Sequence, residues 1–142
     1  MTLDLQKLRR LGIAVVILHA IVVTPHSLAH TLLHIDMNGW QNVYILLVIL
    51  LAPLISAVFL WKRSAAGFLL LTLSMAGSFF FGVYYHFIVS GPDNVASAPT
   101  HPWSFIFQAT ALLLAMVELG GAVVGLYGVT IDESSHTNRY TR

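Results

Sequence analysis

The sequence has no cysteine. Disulfides, thiolate zinc sites, cysteine-ligated iron–sulfur clusters, c-type haem attachment and cysteine nucleophiles are thereby excluded. Charge is almost as scarce. Only 9% of the 142 residues are Asp, Glu, Lys or Arg, while 57% are hydrophobic. A soluble domain averages roughly 25% charged residues. Seven basic and six acidic side chains cannot readily solvate a water-soluble surface of this size. No basic patch exists to meet phosphate, so a nucleic-acid partner is excluded. There is no Gly-rich phosphate loop and no G-x-S-x-G elbow.

What the chain does have is long apolar runs. A spanning helix needs about 20 mainly apolar residues. Four stretches qualify: 11–35, 43–61, 65–89 and 103–129. The expected fold is an all-α integral membrane protein, a four-transmembrane-helix bundle forming one domain over 1–142. Residues 90–102 hold Pro92, Pro99 and Pro102 without helical period and read as a loop. Residues 130–142 read as a polar tail carrying His136. Pro25 and Pro53 interrupt the first two spans and should perturb their hydrogen-bond ladders.

The few cations are distributed unevenly. Lys7, Arg9 and Arg10 precede the first span, Lys62 and Arg63 lie between the second and third, and Arg139 and Arg142 are in the tail. All seven fall on one side of a four-span arrangement. Cytoplasmic loops are enriched in Lys and Arg, so both termini are expected in the cytoplasm and the protein in the cell (inner or plasma) membrane. The segments 35–41 and 90–102 would then face outward. Trp40, Trp61 and Trp103 fall at the expected interfaces. The N-terminus resembles a signal peptide, but the expectation here is a retained first span.

Seven histidines stand out in so apolar a chain. His19, His26, His30 and His34 share the first span. At about 100° per residue they fall within an arc of about 80°. Helical i,i+4 pairs project both rings from one face, and neutral imidazole suits Zn, Cu, Fe and Ni. His86 ends the third span and His101 precedes the fourth, so both can approach the outer end of the stripe. His30, His34 and His86 are the expected primary ligands, with His26, His101 and Asp36 supplementary. Met37 beside Asp36 would bias the choice toward Cu, and Asp36 toward a harder metal. An interfacial imidazole can also simply meet water, headgroups or carbonyls.

Two seams accompany the stripe. Ser74, Ser78, Gly82 and His86 recur every four residues, and small residues let helices approach closely in lipid. Gln108, Ala111, Ala115, Glu118, Ala122 and Gly125 form a second seam. Glu118 is the lone carboxylate deep in a span, about 22 Å below Trp103 at 1.5 Å per residue. His19 lies at similar depth, so a buried polar pair His19–Glu118 is expected, as a register lock or a proton relay. Its depth argues for separation from the outer histidines.

The functional expectation is transition-metal binding near the external face, within a redox or metal-handling assembly. The alternative is a haem b held by His86 with His30 or His34, or a chlorophyll-like pigment needing only one axial His and no propionate partner, in an electron-transfer complex. A cation-free outer side offers haem propionates no partner, which favours a bare ion. A third reading is a non-catalytic scaffold subunit. Catalytic residues are unassigned, and a metal-binding or accessory subunit is favoured over a stand-alone enzyme. HTLLH lacks the glutamate of the HExxH zinc-protease motif. The spacing His26–His30–His34 resembles the HxxxH boxes of membrane desaturases, but on one helix only, and implies no family here. Expected partners are membrane lipid and either a homo-oligomer or a larger membrane complex.

Overall fold

The computed structural model describes the backbone of residues 4–140 and the side chains of residues 4–132. The side chains of His136, Arg139 and Arg142 lie outside the described residues. Four helices carry the chain: α1 (Leu5–Leu32), α2 (Gly39–Trp61), α3 (Ala66–Ile88) and α4 (Pro102–Tyr140). There is no strand among the described residues. The helices α1 to α3, and Pro102–Asp132 within α4, are each long and apolar enough to cross a membrane.

Local hydrogen-bond chemistry sets the ends more sharply than hydropathy does. The α1 helix begins six residues before its apolar run because Asp4 Oδ1 accepts from the Gln6 N–H at 3.3 Å. It stops three residues early. His34 adopts a left-handed φ of 53°, and the Ile35 and His34 N–H groups donate back to the His30 and Thr31 carbonyls. This is a Schellman closure, which satisfies the last carbonyls of the helix. The turn after α2 repeats it at Arg63, φ 59°, with Ser64 and Arg63 donating to Phe59 and Leu60. A capping box opens α2. Asn38 Oδ1 accepts from the Gln41 N–H at 3.1 Å, and Gln41 Oε1 accepts from the Asn38 N–H at 2.9 Å.

Two stretches widen into π-helix. Ile45–Leu51 lies immediately before Pro53, whose ring and missing N–H disfavour the ordinary ladder. Tyr84–Ile88 ends α3 and carries His86.

The helices close a ring. α1 packs on α4, α4 on α3, and α3 on α2, while α2 returns to α1 through its Ala52–Trp61 half. That end is filled by Leu8, Val16, Leu60, Phe68, Leu71 and Met75, all nearly inaccessible. Arg9 ties it together, donating to the Arg63 carbonyl at 3.1 Å and lying 3.7 Å from Asp132. The cationic ends of α1 and of the α2–α3 turn therefore meet, as the charge distribution required.

Close approach of α3 to α4 depends on two glycines. A Cβ on Gly125 would sit 2.7 Å from the Thr72 nitrogen and 3.0 Å from the Phe68 carbonyl, both backbone. A Cβ on Gly128 would strike the buried Phe68 ring. Gly125→Val should therefore push the helices apart and cost about 1–3 kcal/mol. Equilibrium unfolding in mixed detergent checks this, and an unchanged midpoint would refute it.

The exterior is inverted relative to that of a soluble protein. Ile21, Leu73, Phe80, Phe105 and Met116 are each at least 61% exposed, while Ser56, Ser74, Ser78, Glu118 and three histidines are buried.

Candidate metal centre

At the end away from Arg9, α1 presents His26 and His30 one turn apart, and the π turn of α3 presents His86 toward them. Their ligand nitrogens lie within 4.8 Å of one another. His26 Nε2 is 3.2 Å from His86 Nε2 and 3.1 Å from His30 Nε2. Phe107, fully buried on α4, forms an apolar backing. Its ring centroid is 5.4 Å from that of His26, 5.2 Å from His30 and 5.5 Å from His86.

The outer nitrogens are aimed by partners behind them. His86 Nδ1 faces two acceptors, the Asp93 carbonyl at 3.0 Å and its Oδ1 at 3.0 Å. It must therefore carry the proton, which leaves a lone pair on Nε2 of the neutral ring. His26 Nδ1 lies 2.9 Å from Thr110 Oγ1. That hydroxyl spends its single proton on the Ile106 carbonyl at 2.6 Å, so it accepts from His26. The lone pair of His26 is again on Nε2. With both rings neutral, two nitrogen lone pairs face each other at 3.2 Å in a buried site, and either a proton held by His86 beside Asp93 or a metal ion shared by the rings relieves that repulsion. Imidazoles pinned through their far nitrogen by a carboxylate, carbonyl or hydroxyl are the usual outer shell of a metal site.

Asp93 reaches the site from the segment between α3 and α4. Asn94 holds that segment, its Nδ2 donating to the Val89 carbonyl and its Oδ1 accepting from the Ala96 N–H, both at 2.9 Å. Gln108 of α4 pins it further, donating to the Val95 carbonyl at 2.9 Å. Asp93 Oδ1 lies 3.3 Å from His30 Nε2. Both carboxylate oxygens are buried without a well-aligned hydrogen bond. An under-satisfied buried carboxylate beside three imidazoles is electrostatically suited to a positive charge.

The expected ligand set changes in composition. His26 stands in the centre of the group, not at its margin. His34 does not extend it, because the Schellman closure places His34 beyond the last helical turn. It is exposed and lines the cavity mouth with Asp36. His101 is exposed and engaged elsewhere: its Nδ1 accepts from the Trp103 N–H at 3.3 Å and caps α4. Met37 also lines the mouth but is not in the three-histidine group.

Asp93, Thr110 and Phe107 are the participants that sequence reasoning missed. Asp93 is the sole charged residue of 90–102, and that isolation was the available signal. Thr110 and Phe107 gave none, since their place depends on how α4 is rotated.

Deeper in the bundle, His19 Nε2 lies 3.2 Å from Glu118 Oε1, both buried. The pair is not walled off from the outer histidines. One cavity of about 510 Å³ is lined by His26, His30, His86, Asp93 and also Glu118. Neither His19 nor Glu118 joins the three-histidine group, so the site is not one compact six-ligand cluster, as the difference in depth implied.

Comparison with protein-family models, curated proteins and solved structures found no match.

Proposed function

We propose that this is an integral membrane protein that binds one transition-metal ion, Cu, Zn or Fe, through His26, His30 and His86. The cationic end would face the cytoplasm and the histidines the external side of the cell membrane. The protein would act within a redox or metal-handling assembly, as a homo-oligomer or with other subunits. The convergence of three imidazoles carries this reading, with His26 and His86 held through their outer nitrogens so that each turns Nε2 toward the shared centre.

The spacing supports a bare ion. Zinc–nitrogen bonds of about 2.0–2.1 Å place tetrahedral ligands about 3.3–3.4 Å apart. The separations of 3.2 Å from His26 to His86 and 3.1 Å from His26 to His30 come close to this, and the full set lies within 4.8 Å. A bis-histidine haem is less well served. Two axial histidines lie on opposite faces of a macrocycle, whereas these nitrogens converge with no plane's thickness between them.

Elemental analysis and an optical spectrum of the purified full chain test the proposal. About one ion per chain without a Soret band is the expected result, since one three-ligand site is present. A Soret band, or no ion retained or taken up on titration with Zn²⁺, Cu²⁺ and Fe²⁺, would overturn it. Uptake should weaken on acidification, because protons compete for the same nitrogens. Asp93→Asn should lower affinity by about 10–100-fold, the usual scale for an outer-shell carboxylate. Isothermal titration of variant against wild type reads this directly.

A further inference from the structure

The cavity is far larger than an ion requires. Its volume of about 510 Å³ falls within the range of small-molecule pockets, about 300–1,000 Å³. Its lining has two characters. The histidines, Asp93 and Glu118 are its polar groups, and Val23, Ile45, Ile49, Phe81 and Leu114 its main apolar ones. Gly82 lines it beside His86 and Glu118. A Cβ there would meet only Glu118 Oε2 and His86 Cδ2, each at an ordinary 3.8 Å. Gly125 and Gly128 are pressed by the neighbouring helix, whereas at Gly82 a Cβ would make only ordinary contacts.

The boundary of the cavity is also uneven. α1 and α2 pack together along Ala52–Trp61, but no comparable backbone contact joins α1 to Gly39–Leu51. Val22, Val23 and Ile49 close the lower edge of this divergence. Ser27 and Thr31 of α1 and Asn42 and Ile45 of α2 also line the cavity. In the proposed orientation this part of the cavity lies at the level of the outer leaflet.

We infer that the cavity is a binding site for a single-chain amphiphile whose oxygen-bearing head group coordinates the metal ion. Its apolar chain lies against Ile45, Ile49, Phe81 and Leu114. Three protein ligands leave an ion a coordination position for an exogenous donor, as in zinc sites that act on substrates. Glu118 lines the same cavity and accepts a proton donor of the head group, such as a hydroxyl. The polar half of this inference rests on the metal reading above. The apolar half rests on the cavity alone.

The two halves are tested separately with the full chain in lipid nanodiscs. Cobalt(II) is loaded as a visible-absorbing probe, and its bands are titrated with dodecanohydroxamate and with the short chelator acetohydroxamate. Ala115→Phe and Ile49→Trp fill the apolar side without touching the histidines. Each should raise the half-saturation of the dodecyl probe by about tenfold or more, the scale of a few buried methylenes lost. Cobalt stoichiometry and acetohydroxamate binding should stay unchanged. Equal effects on both probes, or no effect on the dodecyl probe, would overturn the inference. Native mass spectrometry of the metal-free chain with dodecanoate supplies a metal-independent arm. Retention by the wild type and loss in Ala115→Phe supports the apolar site even where cobalt fails to bind. No retention by the wild type overturns it.

Discussion

His86→Ala should lower zinc affinity by more than about 100-fold, beyond the 10–100-fold expected for an outer-shell change such as Asp93→Asn. The alanine removes the one ligand that α3 supplies and leaves His26 and His30 on a single helix. It also releases Asp93, whose carboxylate lies 3.0 Å from His86 Nδ1. His34→Ala is the informative control. It lies at the cavity mouth outside the three-histidine group, so its effect should stay within a few-fold. Competition with a chromophoric chelator measures both variants. Equal losses in the two, or a small loss in His86→Ala with the fold intact by circular dichroism, would reject the assignment of ligands.

His19→Leu should destabilise the protein by about 3–5 kcal/mol, the cost of leaving a buried charge without its partner. The His19–Glu118 contact at 3.2 Å is buried on both sides. The double substitution His19→Leu/Glu118→Leu should recover most of the loss, because it removes the uncompensated carboxylate along with its partner. The unfolding free energies of wild type, both single variants and the double variant form a cycle that isolates the pair. A coupling below about 1 kcal/mol would mark an ordinary interhelical hydrogen bond of the kind common in membranes. Metal affinity measured on the same variants separates a structural pair from one that communicates with the outer site through the shared cavity.

Legibility from the sequence varied with the range of the physics involved. Apolar runs placed four helices because length and hydropathy are local properties. Their ends moved where a cap outweighed hydropathy, at Asp4 for the start of α1 and at His34 for its close. The i,i+4 spacing identified His26 and His30 as neighbours because a helix fixes that relation by itself. The same rule wrongly extended the stripe to His34, since the rule holds only while the helix lasts.

The sequence by itself determined the helical composition, the gathering of cations at one end and the presence of an imidazole pair on α1. It also matched His19 with Glu118, because rise per residue sets depth. Only the tertiary structure decided the rest. The rotation of α3 through its π turn brought His86 to His26. The folding of an otherwise irregular segment carried Asp93 behind it. The rotation of α4 supplied Thr110 and Phe107. The divergence of α1 from the outer part of α2 opened the cavity that joins the outer histidines to Glu118. Each depends on contacts between residues distant in the chain, and no local periodicity encodes how one helix is turned against another.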